Sequence, residues 1–483
     1  MLKHHKFSVV FLFILCVHLV SCNKKNTAVR AKTYIGGEII NPNSNYLVLS
    51  KDTIFKDTIF LDENNRFLYQ FDTIHEGIYT IRHRPESQII LLEKGDSILL
   101  RLNTLEFDET LVFTGDGAAK NNFLIDMFLQ NENEKVGLRR KSFTLPPELF
   151  KIQQDSLLKQ RRKRFEKFVN KEGDLSLLAK SILTASYTYD FYSRFELYAS
   201  ENIRKEKRNK AYVTSYPSGF FSYRNGIQLE AKELQSLFAY RRFLKNYIDN
   251  LLNSSKAKNV INNQAEKKIY ELDFIDSLIT NRDTKENIFR SRTGNYLLQS
   301  KNQKESDKIV QHYITKSKNA TFRKEITELS EAILNLSTGN MIPEHEIIDK
   351  NRDTLLLSSL FKAPHTILYF WSIQDKPHFT RIHRVVKTLS ETYNQIDFIG
   401  LNIDTEKQKD WLKTIKRNNF NPDKEYKFIN PEEAIKNLVV YYKNKAILLD
   451  QQGKILIPNA NLFSVSFEEK LMELYPDTVT ETK

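Results

Sequence analysis

Residues 366–378 read TILYFWSIQDKPH, and this stretch decides the fold of the C-terminal part of the chain. Ile367 to Trp371 form an apolar run that is typical of a buried strand. A short polar loop follows, Asp375-Lys376-Pro377-His378, in which Asp375 is a suitable N-cap. Helical spacing comes next in the apolar residues Ile382, Val385, Val386, Leu389 and Tyr393. The pattern predicts a strand, a loop and a helix in succession.

Further strands and helices are predicted on the C-terminal side of this stretch. Ile396 to Ile403 read as a second strand, and Trp411, Leu412 and Ile415 mark the next helix. Residues 445–449 and 454–457 read as two strands joined by the turn Asp450-Gln451-Gln452-Gly453. Ser466-Phe467-Glu468-Glu469 has the form of a capping box that opens a last helix. The predicted order over residues 339–483 is β-α-β-α-β-β-α.

This region resembles the thioredoxin-like domain of periplasmic oxidoreductases, whose strand and loop read roughly FWAxWCxPC. Phe370, Trp371 and Pro377 match, whereas Asp375 and His378 stand where the two cysteines belong. Only thiolates carry out disulfide exchange. The family also places a cis-proline just before the strand that precedes Asp450, and the corresponding segment here, residues 441–446, has no proline. The resemblance therefore implies a thioredoxin fold from which the redox chemistry has been lost.

The cysteine content agrees with that interpretation. The chain has two cysteines, Cys16 and Cys22, both near its N-terminus. Neither a Cys-X-X-Cys pair nor an internal disulfide framework can form from them.

The N-terminus reads as a lipoprotein signal peptide over residues 1–21. Basic residues precede an apolar run, Phe7 to Val20, that is too short to span a membrane comfortably. Leu19-Val20-Ser21-Cys22 resembles a bacterial lipobox, which implies acylation of Cys22 and a membrane-lipid anchor. Residues 22–33 are then a polar tether. Surface-exported lipoproteins of the Bacteroidetes often carry an acidic run after the lipidated cysteine. None follows Cys22, and by this resemblance we expect a protein that faces the periplasm. We expect its lipid anchor to lie in the outer membrane.

Composition limits the classes of partner. The chain has 483 residues and a formal net charge of +13. For an exported chain we expect no nucleic-acid partner, and we interpret the spread charge as a solvated surface that also favours anionic headgroups.

Residues 34–117 carry the pattern of short strands separated by turns, including Glu76-Gly77 and Lys94-Gly95-Asp96. The predicted strands are Tyr46 to Leu49, Thr58 to Leu61, Phe67 to Phe71, Ile78 to Ile81, Ile89 to Leu92 and Ile98 to Leu102. This spacing predicts an antiparallel β-sandwich. The order of these pieces resembles the N-terminal β-domain of thioredoxin-like (TlpA-type) lipoproteins of the Bacteroidetes.

Residues 118–338 read as a helical region. Apolar side chains recur every three or four residues between Leu237 and Leu251, which indicates one buried stripe. The aromatic residues between Tyr187 and Tyr198 are interpreted as core rather than as a ligand site. The run Arg161-Arg162-Lys163-Arg164 is interpreted as a solvated helix face. The fold class is thus α+β multidomain: a β-sandwich, a helical middle region and a thioredoxin-like fold.

Three functional hypotheses remain at this stage. The first is a redox-inactive, membrane-anchored protein that binds or scaffolds a peptide or protein partner, with no cofactor and with Asp375 and His378 as degenerate positions. The second is a periplasmic thiol–disulfide oxidoreductase, which the family favours and the residues oppose. The third, weaker hypothesis is a metal carrier that uses Asp375 and His378 with His365 or His383. Acid–base chemistry by Asp375 and His378 is the remaining option.

Overall fold

The structure is a computed structural model that describes residues 32–52, 54–211, 214–255, 261–405 and 408–476. The predicted signal peptide, the lipidation site Cys22 and nearly all of the tether lie outside these residues. Within the described ranges, none of the helices combines the length and apolarity that crossing a membrane requires.

The chain divides into two compact units. The first contains the described residues of Met1–His83, Gln88–Lys135 and Lys163–Thr184. The second contains Arg84–Ser87, Val136–Arg162 and the described residues of Ala185–Lys483.

The N-terminal strands form two four-stranded sheets. The strands are β1 (Thr33–Ile40), β2 (Tyr46–Lys51), β3 (Phe55–Phe60), β4 (Arg66–Phe71), β5 (Gly77–His83), β6 (Glu86–Leu92), β7 (Ser97–Asn103) and β8 (Val112–Asp116). A one-turn helix, α1 (Phe107–Thr110), separates the last two strands. The sheet orders are β4-β1-β7-β8 and β3-β2-β5-β6. Alternate residues of both sheets, such as Ile35 and Leu47, are fully buried in one core.

One strand pair departs from the predicted antiparallel arrangement. β1 pairs with β7 in parallel, whereas β1 with β4 and β7 with β8 are antiparallel. A parallel pair requires a long connection, and here strands β2 to β6 supply it. Alternation of apolar residues reports which face is buried but not the direction of the neighbouring strand, so the sequence could not reveal this pair.

Eight helices follow. They are α2 (Ala118–Leu138), α3 (Pro147–Glu172), α4 (Leu177–Arg208), α5 (Phe238–Ser254), α6 (Gln264–Leu278), α7 (Arg282–Gln299), α8 (Gln303–Lys316) and α9 (Ala320–Asn335), all within the described part of the chain. An asparagine caps each of the last four, because its side chain accepts the backbone N–H three residues later. These caps, at Asn263, Asn281, Asn302 and Asn319, set where each helix begins.

The basic run in α3 is only partly a solvated face, which corrects the prediction. Arg161 is 2% exposed, and its guanidinium carbon lies 5.9 Å from the centre of the Phe191 ring. Arg164 makes an ion pair with Asp126 at 2.7 Å. The guanidinium of an arginine can be buried when an aromatic face and other partners receive it, and charge alone does not reveal this.

The C-terminal elements build one seven-stranded sheet with helices. They are β9 (Glu346–Ile348), β10 (Thr354–Leu356), β11 (His365–Trp371), α10 (Lys376–Thr392), β12 (Ile396–Asn402), α11 (Gln408–Asn418), β13 (Glu425–Phe428), α12 (Pro431–Asn437), β14 (Lys445–Asp450), β15 (Ile455–Asn461) and α13 (Val465–Leu474). The sheet order is β10-β9-β13-β12-β11-β14-β15. β11, β12 and β13 are parallel, and β14 runs antiparallel to β11.

Both faces of this sheet are covered. Along β11, Ile367, Tyr369 and Trp371 belong to one core, with α10, α11 and α13. Leu368 and Phe370 belong to the other core, which contains residues of α5 to α9 such as Ile275. The continuous apolar run that predicted a buried strand is therefore buried on both sides.

The predicted order β-α-β-α-β-β-α omits four elements: the short strands β9 and β10, the strand β13 and the helix α12. β13 has only four residues, and two of them, Glu425 and Lys427, are charged although both are buried. Such a strand carries no apolar pattern. The predicted capping box was also wrong. The N-cap of α13 is Ser464, its side chain makes no capping hydrogen bond, and Ser466 lies inside the helix.

Candidate functional site

The loop after β11 leads directly into α10. Asp375 is the N-cap of this helix, and its carboxylate oxygen Oδ1 accepts the backbone N–H of His378 at 3.1 Å. Pro377 lies in the first helical turn. A backbone N–H has no partner within the helix at that point, so the N–H that proline lacks costs no hydrogen bond. The sequence-based prediction of Asp375 as a helix cap is thus confirmed.

The second oxygen of Asp375, Oδ2, forms an ion pair with the ammonium of Lys443. Burial raises the pKa of Asp375, but hydrogen bonds from Lys443 and from the His378 N–H outweigh it and lower the pKa overall. Lys443 belongs to residues 441–444, between α12 and β14. This is the segment in which the resemblance led us to look for a proline, and residues 441–446 contain none. Both carboxylate oxygens of Asp375 are therefore engaged in holding the loop.

His378 is half-buried, and both its ring nitrogens are buried without a well-formed hydrogen bond. Asn444 and the Lys443 backbone approach the ring without completing one. Burial lowers the pKa of His378; the charge of Asp375 opposes this and the charge of Lys443 adds to it. The Phe463 ring packs edge-on at 6.2 Å between centres. This geometry fits a neutral imidazole that packs against the loop.

The histidines proposed as further metal ligands make other contacts. His365 bonds through Nδ1 to the Tyr475 hydroxyl. Nδ1 of His383 is 2.7 Å from the Phe379 carbonyl oxygen, and Nε2 of His383 is close to the Glu425 carboxylate. Among the described residues, no group of three or more His, Cys, Asp or Glu side chains is placed to hold a metal.

A buried network below the loop was missed by the sequence analysis. Glu425, on β13, is 2% exposed and accepts hydrogen bonds from the Tyr369 hydroxyl at 2.5 Å and the Trp371 indole at 2.7 Å. His383 Nε2 is 3.1 Å from the same carboxylate. Burial raises the pKa of Tyr369 well above its usual range, and the charge of Glu425 raises it further. The carboxylate has three neighbours of donor type, so its burial is compensated.

Space around this carboxylate is limited by Gly400, on β12. A Cβ atom at that position would lie 2.3 Å from Oε2 of Glu425. The glycine thus allows the carboxylate to lie directly against the neighbouring strand. An isolated Gly within a strand pattern is the one sequence signal that pointed to such a close approach.

A second buried network holds the start of the loop. The carboxylate of Asp404 accepts hydrogen bonds from the Ser372 hydroxyl and from the Ile373 backbone N–H, the latter at 2.6 Å. Lys427 donates to the Asp404 backbone oxygen and, at 3.3 Å, to the Asn402 side chain. Because these residues lie at the carboxyl ends of β11, β12 and β13, they tie the loop to all three parallel strands.

Lys445, the first residue of β14, is a buried amine. It is 4% exposed, and its ammonium donates to the carbonyl oxygens of Leu438 at 2.8 Å and Val439 at 3.3 Å. Leu438 is the C-cap residue of α12 and Val439 follows it, so the amine binds the backbone directly after that helix. Burial lowers the pKa of Lys445 to about 7.

Comparison with known proteins places the C-terminal region in a known fold. Residues 365–455 match the family described as thioredoxin-like. No curated protein matches the chain.

Three of the solved structures that align with the chain cover less than a third of it. A putative thiol-disulfide oxidoreductase from Bacteroides vulgatus is 23% identical, covers 29% of this chain and 93% of its own, and has a TM-score of 0.26. The C-terminal domain of a putative thiol-disulfide oxidoreductase from Bacteroides thetaiotaomicron is 22% identical, with 30% and 99% covered and a TM-score of 0.26. A domain of a possible thiol-disulfide isomerase from Cytophaga hutchinsonii is 17% identical, with 30% and 97% covered and a TM-score of 0.25.

Proposed function

We propose, for a chain whose C-terminal part is a thioredoxin-like domain, a redox-inactive binding function at the bacterial cell envelope. In this proposal the protein is a lipoprotein anchored through Cys22. The loop at Asp375 and the neighbouring segment 441–444 hold a peptide or protein partner, and no disulfide exchange takes place.

The observation that carries the proposal is the chemistry of Asp375. At the position where related oxidoreductases carry a cysteine, this chain has a carboxylate whose two oxygens cap α10 and bind Lys443. A carboxylate cannot attack a disulfide, since that reaction requires a thiolate. The chain also has no cysteine after Cys22.

The similarity of residues 365–455 to the thioredoxin-like family keeps a second candidate open, a periplasmic thiol–disulfide oxidoreductase. Dithiothreitol-driven insulin reduction separates the two. With the chain from Lys32 onward, we expect a rate equal to that of buffer. The paired change Asp375→Cys with His378→Cys supplies the missing thiols, and we expect weak activity from it at most, because residues 441–446 contain no proline. Turnover by the unchanged chain that alkylation abolishes would refute the proposal.

The binding function is tested by photo-crosslinking in the native envelope. A photoreactive amino acid replaces Lys376, which is exposed in the first turn of α10, and the matched control replaces Glu391, which is exposed in its last turn. We expect a discrete crosslinked partner from position 376 and none from position 391. Identical patterns, or none from either position, would contradict binding at the loop.

A further inference from the structure

A groove lies between α9 and α12, within the second compact unit. Its volume is about 520 Å³, within the range of roughly 300–1,000 Å³ that is common for ligand sites. Glu325, Glu328 and Glu331 line one wall, Lys436 and Tyr441 line the other, and Leu329 contributes apolar surface. None of the three hypotheses drawn from the sequence uses this groove.

The charge in the groove is opposite to that of the whole chain. Three carboxylates, spaced three residues apart on one face of α9, share it with one ammonium. Glu325 is engaged by Arg290 at 2.8 Å. Within the described part of the chain, the one ion-pair partner of Glu328 is Lys324, at 3.7 Å, and both side chains are exposed. Glu331 has no ion pair among the described residues, so at least two carboxylates remain open to a cation.

The wall opposite the carboxylates carries one aromatic side chain, Tyr441, beside Lys436. Tyr441 is 52% exposed, so its ring is accessible to a ligand. Burial raises the pKa of Tyr441, and the charges of Glu325 and Glu328 raise it further, which means that the phenol lies in their field. An aromatic face beside a carboxylate attracts a cation, and an apolar floor receives the methylene stem that carries it.

We propose that this groove binds a basic side chain, arginine or lysine, of the peptide or protein partner. The inference rests on the proposed binding function and adds the chemistry of the partner. Tyr441 is two residues from Lys443, which pairs with Asp375. Two residues span at most about 7 Å, so a partner at the loop can also reach the groove.

The test uses the full-length protein in detergent and two fluorescein-labelled probes. One is the peptide GSRLGRSG, and the other replaces both arginines with citrulline, which is neutral and of the same shape. By fluorescence anisotropy we expect the citrulline probe to bind at least about tenfold more weakly. Binding of the arginine probe should also weaken as salt is raised from 50 to 500 mM, since exposed charges are screened.

Variants identify the surface that binds. The paired change Glu328→Gln with Glu331→Gln is expected to weaken binding of the arginine probe at least about fivefold. Tyr441→Ala is expected to weaken it about threefold. The control Glu469→Gln removes an exposed carboxylate on α13 and should change nothing. Thermal unfolding of each variant verifies that the fold is retained.

Three outcomes would overturn the groove proposal: equal binding of the two probes, undiminished binding by the glutamine variant, or no binding of the arginine probe. Binding that Asp375→Ala abolishes and the groove variants leave intact would also overturn it. In that case the proposed function stands, because photo-crosslinking at position 376 decides it independently.

Discussion

Asp375 and His378 stand three residues apart, yet the environment of Asp375 favours its charged form and that of His378 favours its neutral form. Lys443 and a backbone N–H stabilise the carboxylate of Asp375, whereas burial disfavours the imidazolium of His378. The loop thereby keeps one charged and one neutral group at the two positions where the resemblance to thioredoxin-like oxidoreductases led us to expect cysteines. Each side chain has a separate consequence for stability.

Two replacements of Asp375 distinguish the stability that its helix cap contributes from the stability that its charge contributes. Asp375→Ala should lower the free energy of unfolding by about 1–2 kcal/mol at pH 7, because α10 loses its N-cap. Asp375→Asn keeps a capping oxygen and should lose only about 0.5 kcal/mol with the ion pair. The pKa of Asp375 is lower in the fold, so the charge contributes above the unfolded pKa of about 4 and is lost at lower pH.

Urea unfolding at pH 7 and pH 2.5, followed by circular dichroism, measures both effects. The difference between the natural chain and Asp375→Asn should shrink as the pH falls from 7 to 2.5, because the carboxylate of the natural chain takes up a proton. A difference of equal size at both pH values would mean that the charge is not its source.

His378 makes the fold sensitive to mild acid. Its pKa is lower in the fold than in the unfolded chain, so the unfolded chain takes up the proton first. Stability should therefore fall as the pH drops below about 6.5, toward the lowered pKa of the folded state. His378→Leu should weaken this dependence and change stability at pH 7 by less than about 1 kcal/mol, because no well-formed hydrogen bond is lost.

Chemical denaturation between pH 5 and pH 8 tests this prediction, with His75→Gln, at an exposed histidine, as the control. Metal analysis belongs to the same experiment. Near-stoichiometric zinc or copper that is lost in His378→Leu would favour the metal-carrier hypothesis instead.

The secondary structure elements show which signals the sequence contained. The run at Ile367 to Trp371 and the cap at Asp375 are local features, and both predictions were correct. Glu425 could not be assigned to the site, since its partners lie more than 40 residues away along the chain and its strand has no apolar alternation. A buried charge is recognised from its partners, and these are known only once the strands are paired.

The network below the loop should be essential to the packing of β13. Glu425→Gln keeps the shape of the side chain but turns one acceptor into a donor that faces another donor. We expect a loss of about 2–4 kcal/mol in the free energy of unfolding. Glu432→Gln, at an exposed position of α12, is the matched control and should change it by less than about 0.5 kcal/mol. Equal effects of the two changes would argue against the network.

The buried amine of Lys445 should make the stability of the fold depend on pH above about 7. Burial lowers its pKa to about 7 in the fold, whereas in the unfolded chain the amine titrates near 10.4. Between these values the unfolded chain binds one more proton, so stability should rise with pH by up to about 1.4 kcal/mol per unit. Lys445→Met, of similar length, should remove this slope. Urea titrations of both chains from pH 7 to pH 9.5 measure the difference, and parallel curves would contradict it.

At the level of the whole molecule, the helical region and the C-terminal fold are joined more closely than the sequence indicated. Residues of α5 to α9 and one face of the C-terminal sheet share a single core. Helical periodicity marks which face of a helix is buried, but it does not identify what covers that face. The helical segment could therefore be recognised from the sequence, while its packing against the sheet could not.

The predicted anchor determines where the whole protein resides. If Cys22 is acylated, mass spectrometry of the mature N-terminus should find a modified cysteine as the first residue. Cys22→Ser should move the protein out of the membrane fraction or block its maturation, and Cys16→Ser, within the predicted signal peptide, is the control. An unmodified N-terminus on a membrane-free protein would contradict the prediction.

The burial of Trp371 and Trp411 gives this protein a selective optical reporter. They are the chain's two tryptophans, and both are fully buried in the same core of the C-terminal fold. Emission excited at the indole band therefore follows that fold alone, whereas the far-ultraviolet signal averages over every helix and strand. If the denaturation curves from tryptophan emission and from the far-ultraviolet signal diverge, the protein unfolds in separate steps. Such behaviour is common for a chain of two compact units.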